Sequence, residues 1–380
     1  MPAAPLDAAA LDATLRPFGE SVMLPATAYT DPAVLAWERR HLFAAAWTPI
    51  GRTAELAARG SQGAFTVGDV GVLVTFSDPG VSGGRHSPDQ AAVRAFANVC
   101  RHRAHELLAV GQTADRRAVL CPYHGWSYGL DGALRTAPRM GDGFEPGGHG
   151  LVELPAIDWH GWLFVNATST ARPFDEHFGT LDGHVAPYRP EVLVVKARHS
   201  YEVAANWKII VENYHECYHC PLIHPELCVV SPPNSGENLH EPGAWVGGSM
   251  VLRDHAETMS LDGRSAGVML DGVDPRSVRY LGVAPNLLLS LHPDYVLTHR
   301  LEPLAPDRTR VDCEWLFAPE VTDPAYAVDF WDVTNKQDWQ ACESVQRGVS
   351  SPHYRPGPLA PNESALYEWL TMLAQAYRAG

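Results

Sequence analysis

Cys100-Arg101-His102, eighteen further residues, then Cys121-Pro122-Tyr123-His124-Gly125-Trp126: these two stretches decide how the rest of the chain is read. Each follows a short β-like run, Arg94–Val99 before the first and Ala118–Leu120 before the second, so each can reach one small metal centre from a turn. Two cysteines and two histidines fit structural zinc. A zinc finger of that composition, however, keeps both cysteines in one pair and both histidines in the other. Here each pair holds one of each. That suits a [2Fe–2S] cluster in which two thiolates hold one iron and two imidazoles hold the other.

Working outward, the region around these stretches alternates short apolar runs with turn residues. Ala64–Val67, Val70–Phe76, Arg94–Val99, Ala118–Leu120 and Gly161–Val165 read as strands of a small β domain, residues 46–168. The segment Ser77–Gln90, with Gly, Ser, Pro and Asp, reads as an exposed loop. Residues 1–30 are expected to be a loosely packed lead. Asp31-Pro32 then opens a helix, Asp as N-cap and Pro at the first position, with Val34, Leu35, Trp37, Leu42 and Phe43 as its apolar face. Beyond Ala167 the texture changes. Val192–Ala205 reads as strand, Asn206–His219 as a helix stopped by Pro221, and Tyr280–Leu291, Tyr295–Pro303 and Arg310–Ala318 as three β runs. Phe330–Arg347 is helical, with Val333, Trp339, Cys342 and Val345 inward, and Glu363–Tyr377 is a closing helix. The expected fold is α+β: a small β domain inserted into a larger domain made of residues 1–45 and 169–380.

The chain has 380 residues and a formal net charge of −15. An acidic chain without a long basic run is a poor binder of nucleic acid or anionic membrane. No apolar stretch approaches the ~18 residues of a membrane span, and Met1 to Glu20 lacks the basic and apolar regions of a signal peptide. The expectation is a soluble cytoplasmic protein without nucleic-acid or membrane partners. Seven cysteines, an odd number in a long chain, argue against a disulfide framework and for thiols with metal or catalytic work.

A second dense segment is Asn206-Trp207-Lys208-Ile209-Ile210-Val211-Glu212-Asn213-Tyr214-His215-Glu216-Cys217-Tyr218-His219-Cys220-Pro221-Leu222-Ile223-His224-Pro225. If it is helical to His219, then Glu212, Glu216 and His219 share a face. Beyond Pro221 the chain can fold back so that His224 meets His219 at one metal. Two histidines and a carboxylate would leave three open positions on an octahedral Fe(II), enough for O2 chemistry. Cys217, Cys220, His224 and Cys228 could instead hold zinc. Cys313 and Cys342 fall in strand and helix patterns as core thiols. His105, His215, His255, His292 and His299 are read as structural or pocket-lining.

Taken together, the two Cys/His stretches, including the Pro after the second Cys and the Gly-Trp after the second His, and this segment resemble the catalytic alpha subunit of Rieske non-haem iron oxygenases. The likeness runs from about Tyr29 onward. It implies that Cys100 and Cys121 hold the buried iron of a Rieske [2Fe–2S] cluster and His102 and His124 the outer one. It implies that His219 and His224 bind Fe(II) with an acid on a late helix. Asp338, in Asn335–Gly348, fits that acid, and Asp332 is the runner-up. Glu216 takes the place of an acid that links a Rieske histidine of one subunit of a trimer to an iron-ligand histidine of the next. Asn213 is carried with it as a candidate catalytic residue. Glu rather than Asp at 216, and the run Ser290–Val296, are similar to the branch that oxidises carnitine and glycine betaine. The implied fold is a Rieske antiparallel β domain with a helix-grip catalytic domain around an antiparallel sheet.

The implied reaction takes O2 and electrons from a separate NAD(P)H-dependent reductase, since the chain holds no flavin or nicotinamide fingerprint. It hydroxylates a C–H bond of a small molecule, as N-demethylation if that carbon is an N-methyl of a betaine-like compound. The alternatives are hydroxylation of an aromatic or natural product, and an electron carrier with an inert second domain. Trp245, Tyr280, Tyr295, Trp315, Phe317 and Trp331 are candidates for a cation-binding wall.

Overall fold

The computed structural model describes residues 2–77 and 92–379. The expected Ser77–Gln90 loop lies outside the described residues apart from Ser77, the last residue of a strand. The chain forms two compact units: Arg39–Arg172, and Met1–Glu38 together with Pro173–Gly380. Among the described residues, no helix is long and apolar enough to cross a membrane.

The smaller unit is built on the antiparallel pair Gln62–Val67 and Val70–Ser77, extended by Ala92–Ala97. Side chains alternate across a strand. Val72, Val74 and Phe76 therefore enter one apolar cluster, with Leu163 and Val165 of the strand Trp162–Val165. Leu73 points the other way, into a second cluster with Phe96, Val119, Trp126 and Tyr128. Cys100 and Cys121 are members of that second cluster, so both thiols sit on apolar packing.

The larger unit carries a seven-stranded antiparallel sheet in the spatial order Val194–Val203, Arg308–Phe317, Tyr295–Ala305, Leu287–Leu291, Ser277–Val283, Trp245–Val251, Glu237–Asn238. The edge strand Val194–Val203 alternates exposed and half-buried residues. The central strand Leu287–Leu291 is buried on both faces, hence four leucines among its five residues. The helices Trp207–Tyr214 and Ala325–Val349 pack against each other.

Several expectations are corrected here. Residues 1–30 are not loose: Leu11, Leu24, Ala28 and Tyr29 are buried, on the helices Ala8–Thr14 and Ala26–Thr30 or between them. The run Tyr280–Leu291 is two strands, turned at Ala284-Pro285-Asn286. Val345 is exposed, because the inward stripe of its helix passes through Thr334, Asn335, Cys342, Gln346 and Val349. The helix expected to reach His219 ends at Tyr214. The backbone N–H groups of Tyr218 and His219 donate to the Glu216 carboxylate instead of to helical carbonyls. Pro221 does not stop a helix. It lies in the first turn of a short one, Cys220–Ile223, where its missing N–H costs nothing.

Candidate active site

In the smaller unit, two turns present the cluster candidates, and they repeat one backbone pattern. Cys100 N–H donates to His105 O and Ala104 N–H to Cys100 O. Cys121 N–H donates to Trp126 O and Gly125 N–H to Cys121 O. In both turns the fifth residue is left-handed, Ala104 at φ +57° and Gly125 at φ +76°. Cys100 and Cys121 are buried, and burial raises the Cys121 thiol above its ordinary value. The imidazoles of His102 and His124 meet edge to face with ring centroids 4.7 Å apart, and His102 stacks flat on Trp126 at 4.9 Å. Among the described residues, Nδ1 of His102 is buried without a partner, which is what a metal-ligating nitrogen would be. Tyr128, which the sequence does not single out, has its hydroxyl 3.3 Å from Cys100 Sγ. It also accepts from Arg101 N–H at 3.0 Å.

In the larger unit, the motif helix Trp207–Tyr214 is fixed by a buried network. Lys208 Nζ donates to Glu38 at 2.6 Å with both side chains inaccessible, and Trp207 and Tyr377 donate to the same carboxylate. Tyr29 donates to Glu212 at 2.9 Å. Burial raises Glu212 to about 7, although the Tyr29 hydrogen bond and Lys208 pull the other way.

After this helix the chain turns twice and brings His219, His224 and Asp338 together, with one ligand atom from each inside 4.8 Å. His219 Nε2 lies 3.1 Å from His224 Nε2. Asp338 Oδ1 lies 2.8 Å from His224 Nε2 and 3.5 Å from His219 Nε2. Metal–nitrogen bonds of about 2.1 Å at right angles put neighbouring ligand atoms about 3 Å apart, so these three groups fit one metal. Nδ1 of His219 is paired with Glu216. Nδ1 of His224 is 2.7 Å from Gln337 Oε1. Each contact leaves Nε2 of its ring facing the centre. Burial pushes the His219 imidazole down, but Asp338 and Glu216 outweigh it and lift it to about 9.

Asp332 is engaged elsewhere, accepting from Tyr201 at 2.6 Å and from Lys336 at 2.5 Å. Cys217 and Cys220 are joined by a disulfide. This single pair is not a framework, since the other five cysteines are free, but it removes the two thiolates of the zinc alternative. The turn after Tyr214 brings their Cα atoms to 5.0 Å, within disulfide reach.

A cavity of about 80 Å³ adjoins the three ligands, lined by Asn213, Tyr214, Glu216, Tyr280, His299, Trp331 and Trp339 among others. A second cavity of about 400 Å³ shares Tyr214, Glu216, Cys217, Met250 and Tyr280 with it. Of the six aromatics proposed from sequence, Tyr280 and Trp331 line the site, whereas Trp245, Tyr295, Trp315 and Phe317 are core. Tyr214 and Trp339 were missed. Both adjoin candidate residues in sequence, Asn213 and Asp338, and that adjacency was the available signal. His299 lines the site, His215 lines the larger cavity, and His292 is fully buried.

The chain matches the Rieske [2Fe-2S] domain over residues 46–155 and the ring hydroxylating alpha subunit (catalytic domain) over residues 190–379. It is 34% identical to the glycine betaine monooxygenase oxygenase subunit of Chromohalobacter salexigens, over 92% of this chain and 85% of that one. It is 29% identical to the carnitine monooxygenase oxygenase subunit of Escherichia coli K12, over 88% and 86%. Its fold matches a quaternary ammonium Rieske monooxygenase whose structure is described for carnitine oxidation and inter-subunit electron transfer. That match has a TM-score of 0.76 at 21% identity and covers 99% and 100% of the two chains. With a Rieske domain, a ring-hydroxylating catalytic domain and a relative at this identity along nearly its whole length, the chain belongs to the Rieske non-haem iron oxygenases, enzymes that carry a Rieske [2Fe–2S] cluster and a mononuclear iron.

Proposed function

We propose that this oxygenase N-demethylates a betaine-like quaternary ammonium compound with O2, using electrons from a separate NAD(P)H-dependent reductase in the cytoplasm. One observation carries the reading: the His219, His224 and Asp338 set opens on a cavity walled by Tyr214, Tyr280, Trp331 and Trp339. A quaternary ammonium has no N–H to donate. It is held by aromatic faces, and the named relatives act on glycine betaine and carnitine.

In this reading Cys100 and Cys121 hold one cluster iron, His102 and His124 the other, and His219, His224 and Asp338 the mononuclear iron. When bound, these groups supply electrons and O2 activation that turn a C–H bond into C–OH. The side chains of this protein do the rest. Glu216 accepts from His219 Nδ1–H and Gln337 from His224 Nδ1–H, fixing both tautomers. The aromatic wall orients the N-methyl group and keeps water out. An N-hydroxymethyl product then loses its O–H proton. Its C–N bond breaks with the electron pair on nitrogen, releasing formaldehyde and a tertiary amine. Glu216 Oε2 is taken by the Tyr218 and His219 N–H groups, but Oε1, which holds His219 Nδ1, keeps a second lone pair that in a homotrimer would receive His124 of a neighbouring copy. The exposed Tyr123 and Leu120 beside the cluster turn, and the exposed Tyr218 and Leu222 beside Glu216, support such docking.

The test is formaldehyde release by the iron-replete protein with reductase, NADH and O2 on glycine betaine, carnitine, choline and an aromatic substrate such as naphthalene. Formaldehyde from a betaine is expected. Hydroxylated arene with no formaldehyde from any quaternary compound would overturn the reading.

A further inference from the structure

A betaine carries a carboxylate as well as a quaternary nitrogen, and that carboxylate needs donors once it leaves water. Among the described residues, neither cavity is lined by a lysine or an arginine. The charged groups that line them are the three metal-ligand candidates, Glu216 and Glu237. A fixed cation is therefore not what receives the anionic end, and the donors must be neutral.

Tyr280 stands out among the neutral donors. It lines both cavities, so it sits where the one beside the iron ligands meets the larger one. A substrate with its reacting methyl group at the iron has its other end at that junction. Among the described residues, the Tyr280 hydroxyl is buried and has no hydrogen-bond partner, although buried hydroxyls are nearly always paired. Burial keeps the phenol protonated, well above its ordinary value, so it is a donor at any working pH. Its ring is held by edge contacts with Tyr214 at 5.9 Å, Trp331 at 6.3 Å and His292 at 6.4 Å. The residue opposite on the neighbouring strand is Gly248, which has no side chain to compete for the hydroxyl. Ser290, its partner on the other side, already shares its hydroxyl with Tyr214.

We propose that Tyr280 is a specificity-determining residue whose hydroxyl donates to the substrate carboxylate, so that the site selects zwitterionic betaines over quaternary ammonium ions without an acid group. This rests on the betaine reading above.

The test is calorimetric titration of the iron-replete holoenzyme with glycine betaine and with ethyltrimethylammonium, for the native protein and for Tyr280→Phe. Phenylalanine keeps the ring and its three edge contacts and removes only the oxygen. A hydrogen bond to a charged group implies that glycine betaine binds Tyr280→Phe about tenfold or more weakly, while ethyltrimethylammonium binds both proteins within about twofold. Equal weakening of both ligands, or no weakening of either, overturns the inference and leaves the betaine reading standing. Native protein that binds neither ligand and releases no formaldehyde overturns both.

Discussion

At the residue scale the assignment of the mononuclear iron turns on two aspartates one and a half turns apart on one helix. Asp338→Ala should lose the mononuclear iron, read as one iron fewer per chain, with the Rieske absorption and electron-resonance signal unchanged, because the two centres share no ligand. Asp332→Ala should keep all its iron, since Asp332 is already tied to Tyr201 and Lys336. The reverse pattern would show that the acid is misassigned. Glu216→Gln keeps the shape of the side chain but cannot accept from two imidazoles as a carboxylate does. Both centres should stay filled and dithionite should still reduce the cluster. Reoxidation of the cluster by O2 and substrate should slow ~10–100-fold or more, and an unchanged rate would remove Glu216 from the electron route. The candidate cysteines and histidines were legible because metal chemistry restricts residue type and spacing together, whereas Asp338 and Glu216 came from the family resemblance. Tyr128 and Gln337 were not, because a tyrosine seven residues after Cys121 or an amide beside Asp338 has no type-specific meaning until the fold brings it to a sulfur or an imidazole.

At the element scale, the two cluster turns share a left-handed fifth position filled by Ala104 in one and Gly125 in the other. A Cβ at Gly125 would meet only Pro138, at an ordinary 3.7 Å. Gly125→Ala should therefore cost only ~1–2 kcal/mol, the backbone term, and retain the cluster spectrum; loss of the cluster would show a steric demand that the turn geometry does not contain. The motif helix makes a pH prediction. Glu212 is raised from 4.5 to about 7 by burial, so between those values the folded chain holds a proton that the unfolded chain has released. Stability then falls as pH rises through that window and levels off above it. Glu212→Gln still accepts from Tyr29 and has no such dependence. Its thermal midpoint should match the native protein near pH 5 and exceed it by roughly a few degrees at pH 8, and equal pH profiles would contradict the buried, protonatable state. Strands such as Val70–Ser77 and Tyr295–Ala305 were legible as apolar runs between turn residues; Trp245–Val251 was not, because Gly247-Gly248-Ser249 interrupts its apolar run. The length of the motif helix was not: Asn206–His219 reads as helix by composition, yet Glu216 takes the N–H groups of the residues after it and the last turn is lost.

At the scale of the whole molecule, charge is unevenly spread. Residues 39–172 hold 13 arginines, no lysine and 11 acidic residues, and the rest of the chain holds 16 basic and 33 acidic residues. The smaller unit is thus slightly positive and the larger strongly negative. Exposed Arg101 and Arg103 flank His102 on the first cluster turn. In the proposed trimer this bias would pull a cluster tip of one copy toward the acidic unit of the next. Arg101→Glu/Arg103→Glu should keep the Rieske spectrum yet sediment as smaller species, and raising salt should weaken the native assembly in the same direction. A trimer indifferent to both would place the contact elsewhere.

In the proposed function, electrons stored in the cluster are spent on an N-methyl group at the His219, His224 and Asp338 site. The most direct test of this function is a single turnover. Native protein is reduced beforehand, freed of reductant and mixed with O2 and glycine betaine, and cluster reoxidation and formaldehyde are followed together. The two should appear with one rate constant, and without glycine betaine the cluster should reoxidise far more slowly. Reoxidation at the same rate with and without glycine betaine, and no formaldehyde in either case, would contradict it.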